Sequence, residues 1–337
     1  MAKLLVTGGA GFIGSNFVHQ VLGETGDEVV VVDSLTYAGH LGNLAAVLDD
    51  PRLTFVKADI TDADAVGRAF EQHRPEAVVH MAAESHVDRS VKDATAFVRT
   101  NVVGTQVLLD AARRAGVARF LHVSTDEVYG SLGTEGRFTE ASPIQPNSPY
   151  SASKAGSDFL VRAAHHTHGM DTVITRCSNN YGPFQFPEKL IPLMIANCFA
   201  GEPLPVYGDG RNVRDWIHVA DHCRALRLVL AKGRAGEVYN IGGDSERENL
   251  QVVRRLLELC GRDEGLSRYV KDRPGHDRRY AIDGTKVATE LGFRPSVVFE
   301  DGLAESVAWY RDHQDWVEEV RSGAYLRYYE EQYGKLA

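Results

Sequence analysis

The opening stretch "KLLVTGGAGFIGSNFVHQVL" restricts the fold more than any other part of the chain. An apolar run ends at Thr7, and Gly8, Gly11 and Gly14 follow at intervals of three as a helical pattern begins. Glycine there permits a tight turn and lets backbone N–H groups approach an anion at the helix start. The next apolar run, "EVVVVD", ends on Asp33, nineteen residues after Gly14. A strand, a glycine turn, a helix and an acid ending the second strand form the fingerprint of a dinucleotide-binding βαβ unit, with the acid on the adenosine ribose. Without Asp33, the glycines would mean no more than a helix packed on a sheet.

Asp33 repels a 2′-phosphate, and "DSLTYAG" supplies no Arg or Lys to receive one. The sequence therefore predicts NAD rather than NADP. The runs "LTFVKAD", "AVVHMAA", "RFLHVST" and "DTVITR" continue the alternation of short apolar strands with helical segments such as "DADAVGRAFEQH". That alternation predicts an α/β protein, a Rossmann-type doubly wound parallel sheet covered on both faces. After Arg176, Pro, Gly, Asn and aromatic residues crowd loops suited to lining a pocket. At 337 residues, two packed lobes are expected. We assign 1–176 plus about 222–247 to NAD binding, and 177–221 plus about 248–337 to a smaller α/β C-terminal substrate lobe.

A formal charge of −9 argues against nucleic acid or an anionic membrane as partner, so anionic ligands need local cations. No apolar stretch approaches 18 residues, the length of a membrane span. Cys177, Cys198, Cys223 and Cys260 have no CxxC spacing, and the chain opens directly into a strand. Both features predict a cytoplasmic protein with reduced thiols.

Two further stretches carry chemistry. In "SPYSASK", Ser148 can cap a helix with Pro149 in its first turn, placing Tyr150 and Lys154 one turn apart on one face. The Lys154 ammonium and a nearby nicotinamide are expected to lower the Tyr150 pKa, fitting the phenol to take a proton from a sugar hydroxyl. In "HVSTDEVYG", Asp126 and Glu127 end a buried strand side by side. Neighbouring carboxyls repel each other's ionised forms, so one can hold a proton while the other stays charged. Successive strand residues face opposite ways, so both acids reach one substrate only if the backbone leaves strand geometry by Asp126.

Together with "AAESHVDRS", "PNSPYSASKAGSD", "TRCSNNYGPFQFPEKLIP", "YGDGRNVRDWIHVADHC" and "DRPGHDRRYAID", these motifs make the chain resemble the extended short-chain dehydrogenase/reductase superfamily. Within it, the resemblance is to the dTDP-glucose 4,6-dehydratases. It implies oxidation of dTDP-glucose at C4, loss of water across C5 and C6, and return of hydride to C6. Glu127 would be the base, Asp126 the acid, and Thr125 a hydrogen-bond partner of the 4-hydroxyl beside Tyr150 and Lys154. The resemblance implies NAD contacts from Gly8, Gly11, Phe12, Ile13, Gly14, Asp33, Ser34, Leu35, Thr36, Asp59, Ile60, Met81, Ala82, Ala83, Thr100, Tyr150, Lys154 and Asn180. For the sugar nucleotide it implies Ser85, Thr125, Asn179, Lys189, Leu190, Pro205, Val206, Tyr207, Arg214, Asn249, Asp272, Arg273, Pro274, Gly275 and His276. Arg214, placed in a loop, would pair with the diphosphate; its alternative is a salt bridge to Asp215.

His165, His166 and His168 lack ligand spacing, so no metal is expected, and His86 is read as structural. The helices "ATAFVRTNVVGTQVLLDAARRAG" and "SPYSASKAGSDFLVRAAHHTHG" have wide apolar faces. In related enzymes such helices pair into a four-helix bundle, so a homodimer is expected. Three other functions remain open: a nucleotide-sugar 4-epimerase, a decarboxylase, and a non-catalytic NAD-sensing regulator.

Overall fold

The computed structural model describes residues 2–272 and 275–321. Two expected site residues, Arg273 and Pro274, lie outside the described residues. The strands are β1 (Lys3–Thr7), β2 (Glu28–Asp33), β3 (Leu53–Lys57), β4 (Ala77–His80), β5 (Arg119–Thr125), β6 (Thr172–Cys177), β7 (Asn179–Tyr181), β8 (Leu204–Tyr207), β9 (Val213–His218), β10 (Val238–Ile241), β11 (Glu246–Glu248) and β12 (Ser267–Val270). Seven form one parallel sheet in the order β10-β6-β5-β4-β1-β2-β3. The apolar runs become strands because the sheet is covered on both sides, and β4 is buried at every position. The strand order reverses between β1 and β4, where a crevice opens at the carboxyl ends.

The helices covering this sheet include α1 (Phe12–Glu24) and α2 (Ala63–His73), whose start Asp62 caps by accepting from Asp64 and Ala65 N–H. Two short helices, α3 (Val87–Lys92) and α4 (Ala94–Phe97), lead into α5 (Thr105–Ala115). The one long helix expected from "ATAFVRTNVVGTQVLL" is interrupted. Residues Val98–Gly104 wind as a wider π-helix, a local irregularity that side-chain periodicity does not reveal. In α6 (Pro149–His168), Ser148 and Ser151 form a reciprocal capping box with Pro149 in the first turn, and Gly169 closes the helix in the left-handed region.

A second core gathers Tyr181, Ile191, Trp216, Leu256 and Leu303 between small sheets β11-β9-β7 and β12-β8 and four helices. These are α7 (Leu190–Ala200), α9 (Asn249–Leu259), α11 (Phe299–Asp312) and α12 (Gln314–Val320). Between them lie α8 (Val219–Lys232) and α10 (Thr285–Leu291). Val287, Leu291 and Phe293 pack into the first core, so the segment around α10 leaves the smaller lobe to which the sequence assigned it.

Candidate active site

The end of β5 decides what the two acids can reach. Thr125 Oγ1 accepts from the Glu127 N–H at 3.3 Å and starts a 3-10 turn, Asp126–Tyr129. The backbone thus leaves strand geometry at Asp126, and both carboxyls line one cavity with Thr125, Tyr150 and Lys154. The cavity has a volume of about 510 Å³ and runs from the glycine turn to the second lobe.

Asp126 is 2% exposed, and its Oδ2 has no hydrogen-bond partner among the described residues. Burial pushes its pKa well above the usual carboxylate range, and the charges of Glu127 and Asp215 push it further. Burial and neighbouring negative charge thus both favour its protonated form. For Tyr150 the sequence reading invoked Lys154 and a bound nicotinamide together, and the protein's own groups act in the opposite direction. Burial, then the charge of Glu127, raises its pKa well above that of a free phenol. The Lys154 ammonium donates to the Val123 carbonyl at 2.9 Å, and burial drops its own pKa to about 8. The protein by itself therefore holds Tyr150 as a phenol, because burial disfavours the phenolate.

At the opposite end, Gly8 has a φ of +71°. A Cβ on Gly14 would sit 2.1 Å from the Gly8 carbonyl oxygen, so only glycine allows this close approach. Gly11 begins α1 without a side-chain cap, and the first turn carries no acid, which leaves its N–H groups facing the cavity. The Asp33 carboxylate accepts from the Leu35 and Ala10 N–H groups at 2.8 and 3.0 Å. Phe12, Ile13, Ser34, Thr36, Asp59, Ile60, Met81, Ala82, Ala83, Thr100 and Asn180 also line the cavity. Leu35 does not: with φ of 53° it packs on the first core, and its backbone rather than its side chain serves Asp33.

Ser85, Asn179, Lys189, Leu190, Pro205, Tyr207, Arg214, Asn249, Gly275 and His276 line the other half of the cavity. Val206 is an exception, since alternation along β8 turns it into the second core. Asp272 also stands outside the lining and instead bonds His276 Nδ1 at 2.6 Å. Arg214 lies on β9, not in a loop, and is 7% exposed. It donates to the Val213 and Asp277 carbonyls and stacks 4.3 Å from the Tyr280 ring. The alternative pairing with Asp215 is displaced, because that carboxylate accepts from the Gly243 and Ser245 N–H groups.

The sequence reading missed Asp277, Tyr280, Glu84 and Glu188, all on the cavity wall. Tyr280 donates to Asp277 and supports Arg214 from 63 and more residues away, a relation that spacing does not encode. His86 bonds the Glu188 carbonyl at 3.3 Å, while His165 bonds the Met170 carbonyl.

The family profile described as GDP-mannose 4,6 dehydratase matches residues 5–306. A dTDP-glucose 4,6-dehydratase of Xanthomonas campestris pv. campestris is 56% identical, covering 96% of this chain and 97% of its own. The chain belongs to the dTDP-glucose 4,6-dehydratase family. A dTDP-glucose 4,6-dehydratase from Streptomyces venezuelae, solved with NAD bound, matches at a TM-score of 0.92 and 57% identity over 94% of this chain and 99% of that one. The UDP-glucose 4-epimerase of Thermus thermophilus, also solved with NAD, reaches 0.87 at 32% identity over 92% and 99%. The dehydratase family therefore shares its fold with 4-epimerases, and the chemistry must be read from the side chains at the end of β5.

Proposed function

We propose that the chain is an NAD-dependent dTDP-glucose 4,6-dehydratase, which converts dTDP-glucose to dTDP-4-keto-6-deoxyglucose and water. The observation that carries this reading is the buried Asp126 beside Glu127 on one turn, lining the same cavity as Thr125 and Tyr150. The glycine cradle, the uncapped start of α1 and Asp33 fit NAD, with Met81 to Ala83, Thr100 and Asn180 along its course. NAD held there would supply the hydride acceptor for oxidation of the sugar and, once reduced, the hydride donor for C6.

Tyr150, ionised once the cationic nicotinamide is beside it, accepts the C4 hydroxyl proton as a phenolate, with the Thr125 hydroxyl holding the same oxygen. The C4 ketone acidifies the C5 hydrogen, which Glu127 removes. Asp126 then donates its proton to the departing C6 hydroxyl, a transfer that an ionised carboxylate there could not make. Arg214 holds the substrate diphosphate, fixed in aim by Asp277 and Tyr280. We divide the labour between 2–176 with 222–247 and 285–293 for cofactor, and 177–221 with the rest of 248–321 for sugar nucleotide. The deciding experiment incubates purified protein with dTDP-glucose. A product lighter by one water supports the dehydratase, whereas an isomer of unchanged mass indicates an epimerase.

Two predictions follow from the same reading. Gly14→Ala forces a Cβ against backbone, at roughly 1–3 kcal/mol for overpacking. It should lower Tm and leave purified protein with little bound NAD; full retention of NAD would contradict the cradle. A homodimer is expected through the π-helix Val98–Gly104 with α5, and α6, where Val98, Val103 and Phe159 are 48–56% exposed. Sedimentation should give twice the chain mass, and Phe159→Glu should give monomers. The unbridged cysteines suit a cytoplasmic location, and among the described residues no helix is long and apolar enough to cross a membrane.

A further inference from the structure

Behind Lys154 lies a buried chain of polar groups that none of these steps uses. Asp158 follows Lys154 by one turn of α6 and is 1% exposed. Its Oδ2 accepts from Arg176 Nε on β6 at 2.9 Å, and His122 Nε2 on β5 lies 3.4 Å from Oδ1. Arg176 Nη1 donates to the Tyr129 hydroxyl at 2.9 Å, which in turn donates to Asn240 Oδ1 at 2.7 Å. Tyr129 ends the turn that begins with Asp126 and Glu127. One interior carboxylate thus connects the helix bearing Tyr150 and Lys154 to the turn bearing both acids.

A buried ion pair contributes little net stability, since desolvation offsets the attraction. Its position suggests another use. We infer that Asp158 is a positioning residue: held by Arg176, it supplies the counter-charge for the Lys154 ammonium, while the Arg176–Tyr129 bond fixes the turn of Asp126 and Glu127. This role presupposes the dehydratase reading above, since it matters through those four residues.

The groups around Lys154 leave few alternatives. On its own helix stand Tyr150, held as a phenol, and Asp158. From β4 and β5 come His80 and His122; burial pushes His80 well below its ordinary value and His122 to about 4, so both are neutral. From β6 come Cys177, pushed up to about 12 by burial, and Arg176, a cation. Burial favours the neutral form of Asp126. Asp158 is held below the usual carboxylate range despite burial, by His122 and Arg176, and so stays charged. Opposite charge raises the pKa of an ammonium. Without it, Lys154 loses its proton at lower pH, and the alkaline limb of turnover moves down.

The test labels lysine with carbon-13 at Cε in the holoenzyme and follows Lys154 by NMR through a pH titration. Lys154 should titrate near 8 in the wild type. In Asp158→Asn it should fall by about one unit or more, as expected for losing a nearby opposite charge. Asp158→Glu should restore most of the shift, and the alkaline limb of kcat should move with Lys154. A folded Asp158→Asn protein whose Lys154 titrates as in the wild type overturns the role. If that variant fails to fold with Arg176 left buried and unpaired, Asp158→Asn/Arg176→Met removes both charges; because a repelling cation goes with the anion, Lys154 should fall by less than about one unit, and no fall overturns the role. Tyr129→Phe should slow water loss about tenfold, the worth of roughly one hydrogen bond, with C4 oxidation within a few-fold of wild type. Equal slowing of both steps, or of neither, overturns the anchoring of the turn. A wild type that releases no dehydrated sugar would instead sink the dehydratase reading, and the Lys154 titration would still report on Asp158.

Discussion

Asp126→Asn should reduce bound NAD on addition of dTDP-glucose at a rate within a few-fold of wild type, yet lose about 10²–10⁴-fold in release of the 4-keto-6-deoxy sugar. The reason is the division of the two acids. Burial, then the charges of Glu127 and Asp215, raises the Asp126 pKa well above the usual carboxylate range and favours the protonated form. An amide has nearly the same shape but no proton acidic enough for a departing hydroxyl. Oxidation at C4 uses Tyr150 and Thr125 and does not need that proton. Stopped-flow absorbance of the reduced cofactor checks the first half, and NMR of the sugar checks the second. Full turnover in this variant would remove Asp126 from the acid role. The same logic fixes the pH response of water loss: it is present while Asp126 is protonated and fades as pH rises through its elevated pKa.

Tyr150→Phe should slow the first step itself, by about 100-fold or more, the usual contribution of a positioned acid–base group. Tyr150 is 9% exposed, and its ring meets Phe97 edge-on, so the phenylalanine ring fits the same space. A loss of activity at unchanged Tm would therefore report on the hydroxyl. Unchanged reduction of bound NAD would show that another group accepts the C4 proton. Because the protein alone holds Tyr150 as a phenol, its activation must come with the cationic nicotinamide and the sugar hydroxyl, not with Lys154 alone.

That difference marks where sequence reading fails. The strands from Lys3 to Cys177 were legible because both faces of the sheet are covered, which forces continuous apolar runs. The glycine turn, Asp33 and the Ser148 cap were legible because backbone geometry demands particular residues. The departure of the chain from strand geometry at Asp126 followed from the need to aim two adjacent side chains at one cavity. Burial itself is invisible in a local pattern, so the upward push of the protein's own groups on the Tyr150 pKa left no trace in the sequence. Long-range supports such as Tyr280 and Asp277 behind Arg214, or Arg176 behind Asp158, join elements distant in the chain and leave no periodic trace. The Val206 side chain lies outside the cavity lining for a simpler reason: its neighbours on β8 face the cavity, and alternation turns it away.

One measurement bears most directly on the paired acids. The wild-type protein is incubated with dTDP-glucose in D₂O and the product is read by proton NMR. Proton removal by Glu127 and departure of the C6 hydroxyl predict a 4-keto-6-deoxy sugar with solvent deuterium at C5. A product epimerised at C4 with its C6 hydroxyl intact, or a dehydrated product with its original C5 hydrogen retained throughout, would contradict it.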